Sequence, residues 1–195
     1  MLFRSMDFTA DGRYALASCE FSGTVLKIDV QGERVVKSIQ LAPHAMPQDV
    51  KLSPDGSVFF VADMDAGGVH LIDGDHFGYV GFIPTGKGAH GLYVSRDSRL
   101  LYVSNRGEGS VSLIDFNSRK EVAKWRLPGG GSPDMGNVSA DGKTLWLSGR
   151  FDNVVYAIDT TDGTVQKIPV GTEPHGLTVW PQPGRYSLGH TGNMR

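Results

Sequence analysis

The sequence predicts an all-β protein: a β-propeller of four-stranded antiparallel blades, with about four and a half blades present. Three observations predict it. The pair Ile-Asp recurs at Ile28-Asp29, Ile72-Asp73, Ile114-Asp115 and Ile158-Asp159, at spacings of 44, 42 and 44 residues. Each copy breaks into four short runs rich in Val, Leu, Ile and aromatic residues, separated by Gly, Asp and Asn. No segment sustains an apolar period of 3.6, which argues against helices. A two-sheet sandwich also uses many short strands, yet it gives no reason for copies of nearly constant length.

The copies follow in chain order. TADGRYALASCEFSGTVLKID starts at Thr9, SPDGSVFFVADMDAGGVHLID at Ser53, SRDSRLLYVSNRGEGSVSLID at Ser95 and SADGKTLWLSGRFDNVVYAID at Ser139. In the third copy HGLYVS reads as the innermost strand, RLLYVSN as the second, SVSLID as the third and EVAKWRL as the fourth. The turns after the first strands carry Asp11-Gly12, Asp55-Gly56 and Asp141-Gly142, where glycine supplies the positive φ of a tight hairpin. Val25, Val69, Val111 and Val155 share one column, and both parities of the third strand are largely apolar, as blades covered on two faces require. Asp29, Asp73, Asp115 and Asp159 are placed to cap the turns that follow them. Trp125, Trp146 and Trp180 are expected to fill gaps between blades, and His44 and His76 to lie solvated in loops.

The whole chain reads as one partial propeller domain, with blades at about 5–47, 48–89, 90–133 and 134–174 and a half blade at 175–195. The last copy supplies HGLTVW, the turn PQPG and RYSLGH, which are a first and a second strand only. Propellers close their ring to remove exposed sheet edges, commonly by building one blade from both chain ends. This chain opens directly on an inner strand, SMDFT. The missing blades are therefore expected from the rest of a longer chain or from a second chain.

Composition narrows the partners. Net charge is −2, from 19 basic and 21 acidic residues without blocks of either sign, so nothing advertises nucleic acid or an anionic membrane. No apolar run approaches the ~20 residues of a spanning helix. A lone Cys19 permits no internal disulfide and leaves the redox compartment open.

LLYVSN at Leu100–Asn105 followed by GSVSLID, with AHGL at Ala89–Leu92 and PHGL at Pro174–Leu177, resembles the YVTN-repeat, YncE-like β-propellers over essentially the whole chain. The resemblance implies a seven-bladed ring when complete. It also implies kinship with lactonases, the haem d1 domain of nitrite reductases and the copper-bearing propeller of nitrous oxide reductase, and a bacterial protein that is periplasmic or secreted. Only one copy reads close to YVTN; the others are FFVAD, ALASC and LWLSG. The motif thus speaks for a fold and poorly for an activity.

In an up-and-down blade, the loops before the first strand and between the second and third strands emerge on one rim. That rim collects Gln48, His90, Asp134 and His175 at the starts of first strands, with Arg4 in the equivalent place of the first copy. The neighbouring loops add Asp63, Asn105, Arg106 and Arg150. The plain reading is a non-enzymatic scaffold whose rim binds a protein, peptide, glycan or small molecule, with no cofactor, through contacts such as Arg106, Arg150 and Phe151. The alternatives stay open. His90, Asp134, His175 and His190 offer imidazole and carboxylate donors for a transition metal such as zinc or copper. A lactonase or esterase would use Asp134 or His90 as general base, although no Gly-x-Ser-x-Gly elbow is present. A redox propeller would hold haem through rim histidines, since no Cys-x-x-Cys-His attachment exists.

Overall fold

The repeated hairpin chemistry builds four blades. A computed structural model of the protein describes residues 3–180. Its strands are β1 (Phe3–Phe8), β2 (Tyr14–Cys19), β3 (Thr24–Asp29) and β4 (Arg34–Gln40); β5 (Pro47–Leu52), β6 (Val58–Asp63), β7 (Gly68–Asp73) and β8 (Tyr79–Pro84); β9 (Ala89–Val94), β10 (Leu100–Asn105), β11 (Ser110–Asp115) and β12 (Lys120–Arg126); and β13 (Pro133–Val138), β14 (Thr144–Gly149), β15 (Val154–Asp159) and β16 (Val165–Pro169). Each set of four forms one sheet in chain order. One 3-10 turn, Glu20–Ser22, joins β2 to β3, and no α-helix occurs among the described residues. The blades start at Phe3, Pro47, Ala89 and Pro133, one or two residues ahead of the expected boundaries. The fifth copy differs more: residues 175–180 form no strand, and RYSLGH lies outside the described residues.

The chain divides into two compact units, Met1–His90 and Gly91–Arg195. In the first, Leu16 and Val25 of one blade pack on Val50, Leu52, Phe59, Val61, Ile72 and Phe77 of the next. In the second, Tyr93, Tyr102, Val111, Leu113 and Leu127 meet Val138, Leu145, Leu147, Tyr156 and Ile158. Trp125 stacks on Tyr102, and the turn at Gly163 lies against its indole so closely that a Cβ there would stand 2.3 Å from the ring. That is the gap-filling role expected of it. Trp180 is instead 84% exposed.

The first-hairpin turns share one hydrogen-bond pattern. Thr9, Ser53, Ser95 and Ser139 donate their hydroxyls to Asp11, Asp55, Asp97 and Asp141 at 2.5–2.6 Å. The same carboxylates accept the backbone N–H two residues on. Gly12, Gly56 and Gly142 take the positive φ, and Ser98 does so where the third copy lacks glycine. At the other corner, Asp29, Asp73, Asp115 and Asp159 accept N–H groups from the turns they precede, as expected.

The inner strands are not regular. The β1–β2, β5–β6 and β13–β14 ladders each break, leaving Arg4 and Ser5, Gln48 and Asp49, and Asp134 and Met135 outside the pairing. Two residues then stand opposite one, which is a β-bulge. The residue opposite is Ser18, Ala62 or Ser148. Its hydroxyl repairs the ladder: Ser18 Oγ accepts the Ser5 N–H at 3.1 Å and Ser148 Oγ that of Met135 at 3.2 Å. In the third blade Ser104 Oγ accepts the Gly91 N–H at 2.9 Å. Each of these hydroxyls also reaches the next copy, bonding the carbonyl of Gln48 (2.9 Å), Asp134 (3.0 Å) or His175 (2.6 Å). Ala62 brings no hydroxyl to the second blade. Gly136 sits at the end of its bulge because a Cβ there would fall 1.7 Å from the Trp146 carbonyl oxygen.

Two predictions follow from these bonds. Ser104→Ala takes the acceptor from the buried Gly91 N–H and one of two donors from the Asp134 carbonyl, and should cost about 1–3 kcal/mol in urea unfolding. The equivalent change at exposed Ser118 should cost far less. The carboxyls of Asp11, Asp97 and Asp141 lie below the ordinary 3.8, first through the Thr or Ser hydroxyl and then through the backbone N–H. Depressed native values mean that their stabilisation is complete above the unfolded value and lost as pH falls through the native ones. Thermal midpoints should stay level down to about pH 4 and drop below it, with a shallower drop in Asp97→Asn.

Candidate functional site

Three of the positions singled out by the sequence, Arg4, Gln48 and Asp134, lie in the inner-strand bulges. Arg4, Gln48, His90 and Asp134 are each the second residue of an inner strand, β1, β5, β9 and β13, and His175 opens the fifth copy. Their peptides are held by the serine hydroxyls, so their side chains start from anchored backbone.

In the first unit, Arg4 Nη2 lies 3.1 Å from His90 Nε2. A guanidinium only donates, so this bond makes Nε2 the acceptor and puts the imidazole proton on Nδ1. Arg4 Nε is also 3.9 Å from Glu20. Beside Glu20, Phe21 projects with 75% exposure from the 3-10 turn that packs on β5. Gln48 is wholly buried, and its Nε2 donates to the Met46 carbonyl at 3.0 Å.

In the second unit, Asp134 is wholly buried, and its carbonyl accepts Tyr93 OH (2.9 Å) as well as Ser104. Arg106 Nη1 stands 3.5 Å from both carboxylate oxygens. His175 Nε2 approaches Oδ2 at 3.8 Å, with its side chain 40% exposed. The guanidinium carbons of Arg106 and Arg150 lie 5.8 and 5.5 Å from the ring of Phe151, which projects from the β14–β15 loop. At such distances an aromatic face attracts cations. The loop itself is pinned by Asp152, whose Oδ2 accepts Ser132 N–H, Ser132 Oγ and Tyr156 OH, all within 2.6 Å. Burial raises the Asp152 carboxyl, but those donors more than offset it and hold it below its usual range. The Tyr156 phenol moves up, through burial first and then its bond to Asp152.

Two of the expected rim residues face inward. Asp63 Oδ1 accepts N–H groups from Met46, Asp65 and Ala66 while Oδ2 lies 2.9 Å from His70 Nε2. Burial pushes the Asp63 carboxyl up, yet the His70 bond and the backbone donors bring it below 3.8. His70 completes the chain through Nδ1 to Tyr79 OH at 3.2 Å. Asn105 donates to Ser110 and Ser112 inside its blade, the same pair of positions with different polar groups. Sequence reasoning passed over His70, although its place in GVHLID on an otherwise apolar strand marks a buried polar partner.

Of the four candidate metal donors, the structure brings Asp134 and His175 together. His190 lies outside the described residues. His90 Nε2 already accepts from Arg4, and Arg106 lies against Asp134. Among the described residues no three His, Cys, Asp or Glu side chains gather in a set able to hold a metal ion. A guanidinium beside His90 and another beside Asp134 suit an anion better than a cation.

The YncE-like β-propeller profile matches residues 43–184. The chain belongs to the YncE-like β-propellers. It is 28% identical over 163 residues to a dihydro-haem d1 dehydrogenase of Pseudomonas aeruginosa, covering 78% of this chain and 32% of that one. It is 29% identical over 85 residues to a 6-phosphogluconolactonase of Formosa agariphila, covering 40% and 24%. The chain thus spans about a quarter to a third of the curated relatives it matches. Virginiamycin B lyase from Staphylococcus aureus superposes with a TM-score of 0.76 at 15% identity, over 90% of this chain and 59% of that one, a likeness of fold alone. No helix among the described residues is long and apolar enough to cross a membrane.

Burial of Asp134 sets a further prediction. Arg106→Gln should cost about 1–3 kcal/mol by leaving the buried carboxylate short of a donor, and adding Asp134→Asn should recover most of that loss. Strictly additive costs in urea unfolding would show that the two groups do not interact.

Proposed function

We propose that this YncE-like chain is a ligand-binding propeller segment that receives an anionic small molecule where the first strands begin. The single observation that carries the reading is the second unit's cluster: two guanidiniums flank the exposed Phe151 ring, and His175 stands beside the buried Asp134. Asp134 orients Arg106 without lying at the surface itself. Arg150 adds a buried Nε with no hydrogen-bond partner in the fold. Guanidinium forks match carboxylate and phosphate oxygens, and an aromatic face supplies apolar contact beside them. The relatives support the class of ligand, since one is named for a phosphorylated lactone and another for a dihydro-haem. A protein or peptide partner bearing acidic residues would meet the same contacts.

A second reading has one observation in its favour. An imidazole 40% exposed, with a buried carboxylate behind it, is arranged as a general base for opening a lactone. Hydrolysis of δ-gluconolactone above the spontaneous rate, lost in His175→Ala, would support it.

The binding reading is tested by titrating 6-phosphogluconate into the full chain at low and at high salt. Binding should weaken about tenfold or more in Arg150→Gln and Phe151→Ala, and should fall with ionic strength. Affinity indifferent to both variants and to salt would contradict the assignment.

A further inference from the structure

The first unit carries a buried group that its own fold leaves unsatisfied. Gln48 is wholly buried, and its Oε1 has no hydrogen-bond partner. The amide cannot be turned to cure this. Its Nε2 donates to the Met46 carbonyl, so a half-turn would set two oxygens face to face. Nor can the residue withdraw, because its backbone carbonyl is held by Ser18 Oγ. Such an oxygen calls for a donor from outside the fold.

Its surroundings indicate what kind. Arg4 occupies the same position on the adjacent inner strand, and β1 packs directly on β5. Glu20 lies within 3.9 Å of Arg4, and Phe21 projects from the turn that packs on β5. An amide acceptor, a guanidinium, a carboxylate and an open aromatic face together recognise a molecule with many hydroxyls. Its O–H groups bond the polar side chains while its C–H face lies on the ring.

We propose that Gln48 Oε1 accepts a ligand hydroxyl, making the first unit a subsite for a polyhydroxylated molecule of the sugar or sugar-acid class. The proposal rests on the reading that ligands meet the starts of the first strands, but it uses none of the second unit's residues.

The test compares D-gluconate with hexanoate, acids of equal charge and chain length, by NMR titration of the full chain. Gluconate should bind about tenfold tighter, and Gln48→Met should erase that preference while hexanoate binding stays unchanged. Equal binding of the two acids overturns the subsite. If that equal binding falls in Arg150→Gln, the anion reading stands without it. A gluconate preference that survives Gln48→Met means the oxygen holds only water, and also overturns the proposal. Binding of neither acid overturns the subsite and leaves the anion reading to the 6-phosphogluconate titration. Should Gln48→Met fail to fold, the side-chain amide resonance of Gln48 in the wild type decides: it should shift with gluconate and not with hexanoate, and a gluconate preference without that shift overturns the proposal.

Discussion

In three of the four blades the strand start depends on one hydroxyl at the fifth position of the second strand. An inner strand that bulges there loses two residues from its ladder, and an orphaned buried N–H is costly. Ser18, Ser104 and Ser148 accept that N–H and pass their own proton to a carbonyl of the following copy. One small side chain thus closes a blade's own sheet and sets the position of the next blade's second residue. That residue is Gln48, Asp134 or His175. Asp134 is thereby fixed from two sides, by Ser104 at its carbonyl and by Ser148 at the following N–H, while Gln48 and His175 are held at their carbonyls by the preceding blade, which is how preorganised sites are built.

Two of the strand-start residues, His90 and Asp134, have a guanidinium close by. Arg4 donates to His90 in the first unit, and Arg106 lies against Asp134 in the second. These contacts occupy the imidazole and carboxylate that a metal would want, and they gather positive charge where the loops open. Each unit also presents a phenylalanine in its second-to-third-strand loop, Phe21 or Phe151. The loops around them differ. Asp152 ties the second unit's loop with three donors, whereas the first unit's loop is a 3-10 turn. The two units thus use one blade plan with different loops.

The fold was legible because its signals repeat. Val25, Val69 and Val111 mark the third strand, the Asp-Gly pairs mark the first hairpin, and Ile-Asp marks the second-to-last corner; each recurs with its hydrogen bonds in place. The rim column was legible too, since Arg4, Gln48, His90 and Asp134 share a register. The orientation of the neighbouring polar residues was not. Asp63 and Asn105 end second strands, where one step along the strand decides between rim and interior, and both turn inward to His70 and to Ser110 and Ser112. The serine column was written in ALASC, YVSN and LWLSG and broken in FVAD, yet its meaning needs the bulge, which depends on pairing between strands rather than on any local pattern. The pairing of Arg106 with Asp134 joins residues 28 apart and has no signature in spacing.

Native-state amide hydrogen exchange, resolved by residue, tests the central claim most directly. If the serine hydroxyls complete the inner-strand ladders, the N–H groups of Ser5, Gly91 and Met135 should exchange as slowly as those of the regular β10–β11 ladder, and only through large-scale unfolding. Exchange of these three at rates typical of loops would contradict the account, because the strand starts would then be open and the residues they carry unfixed.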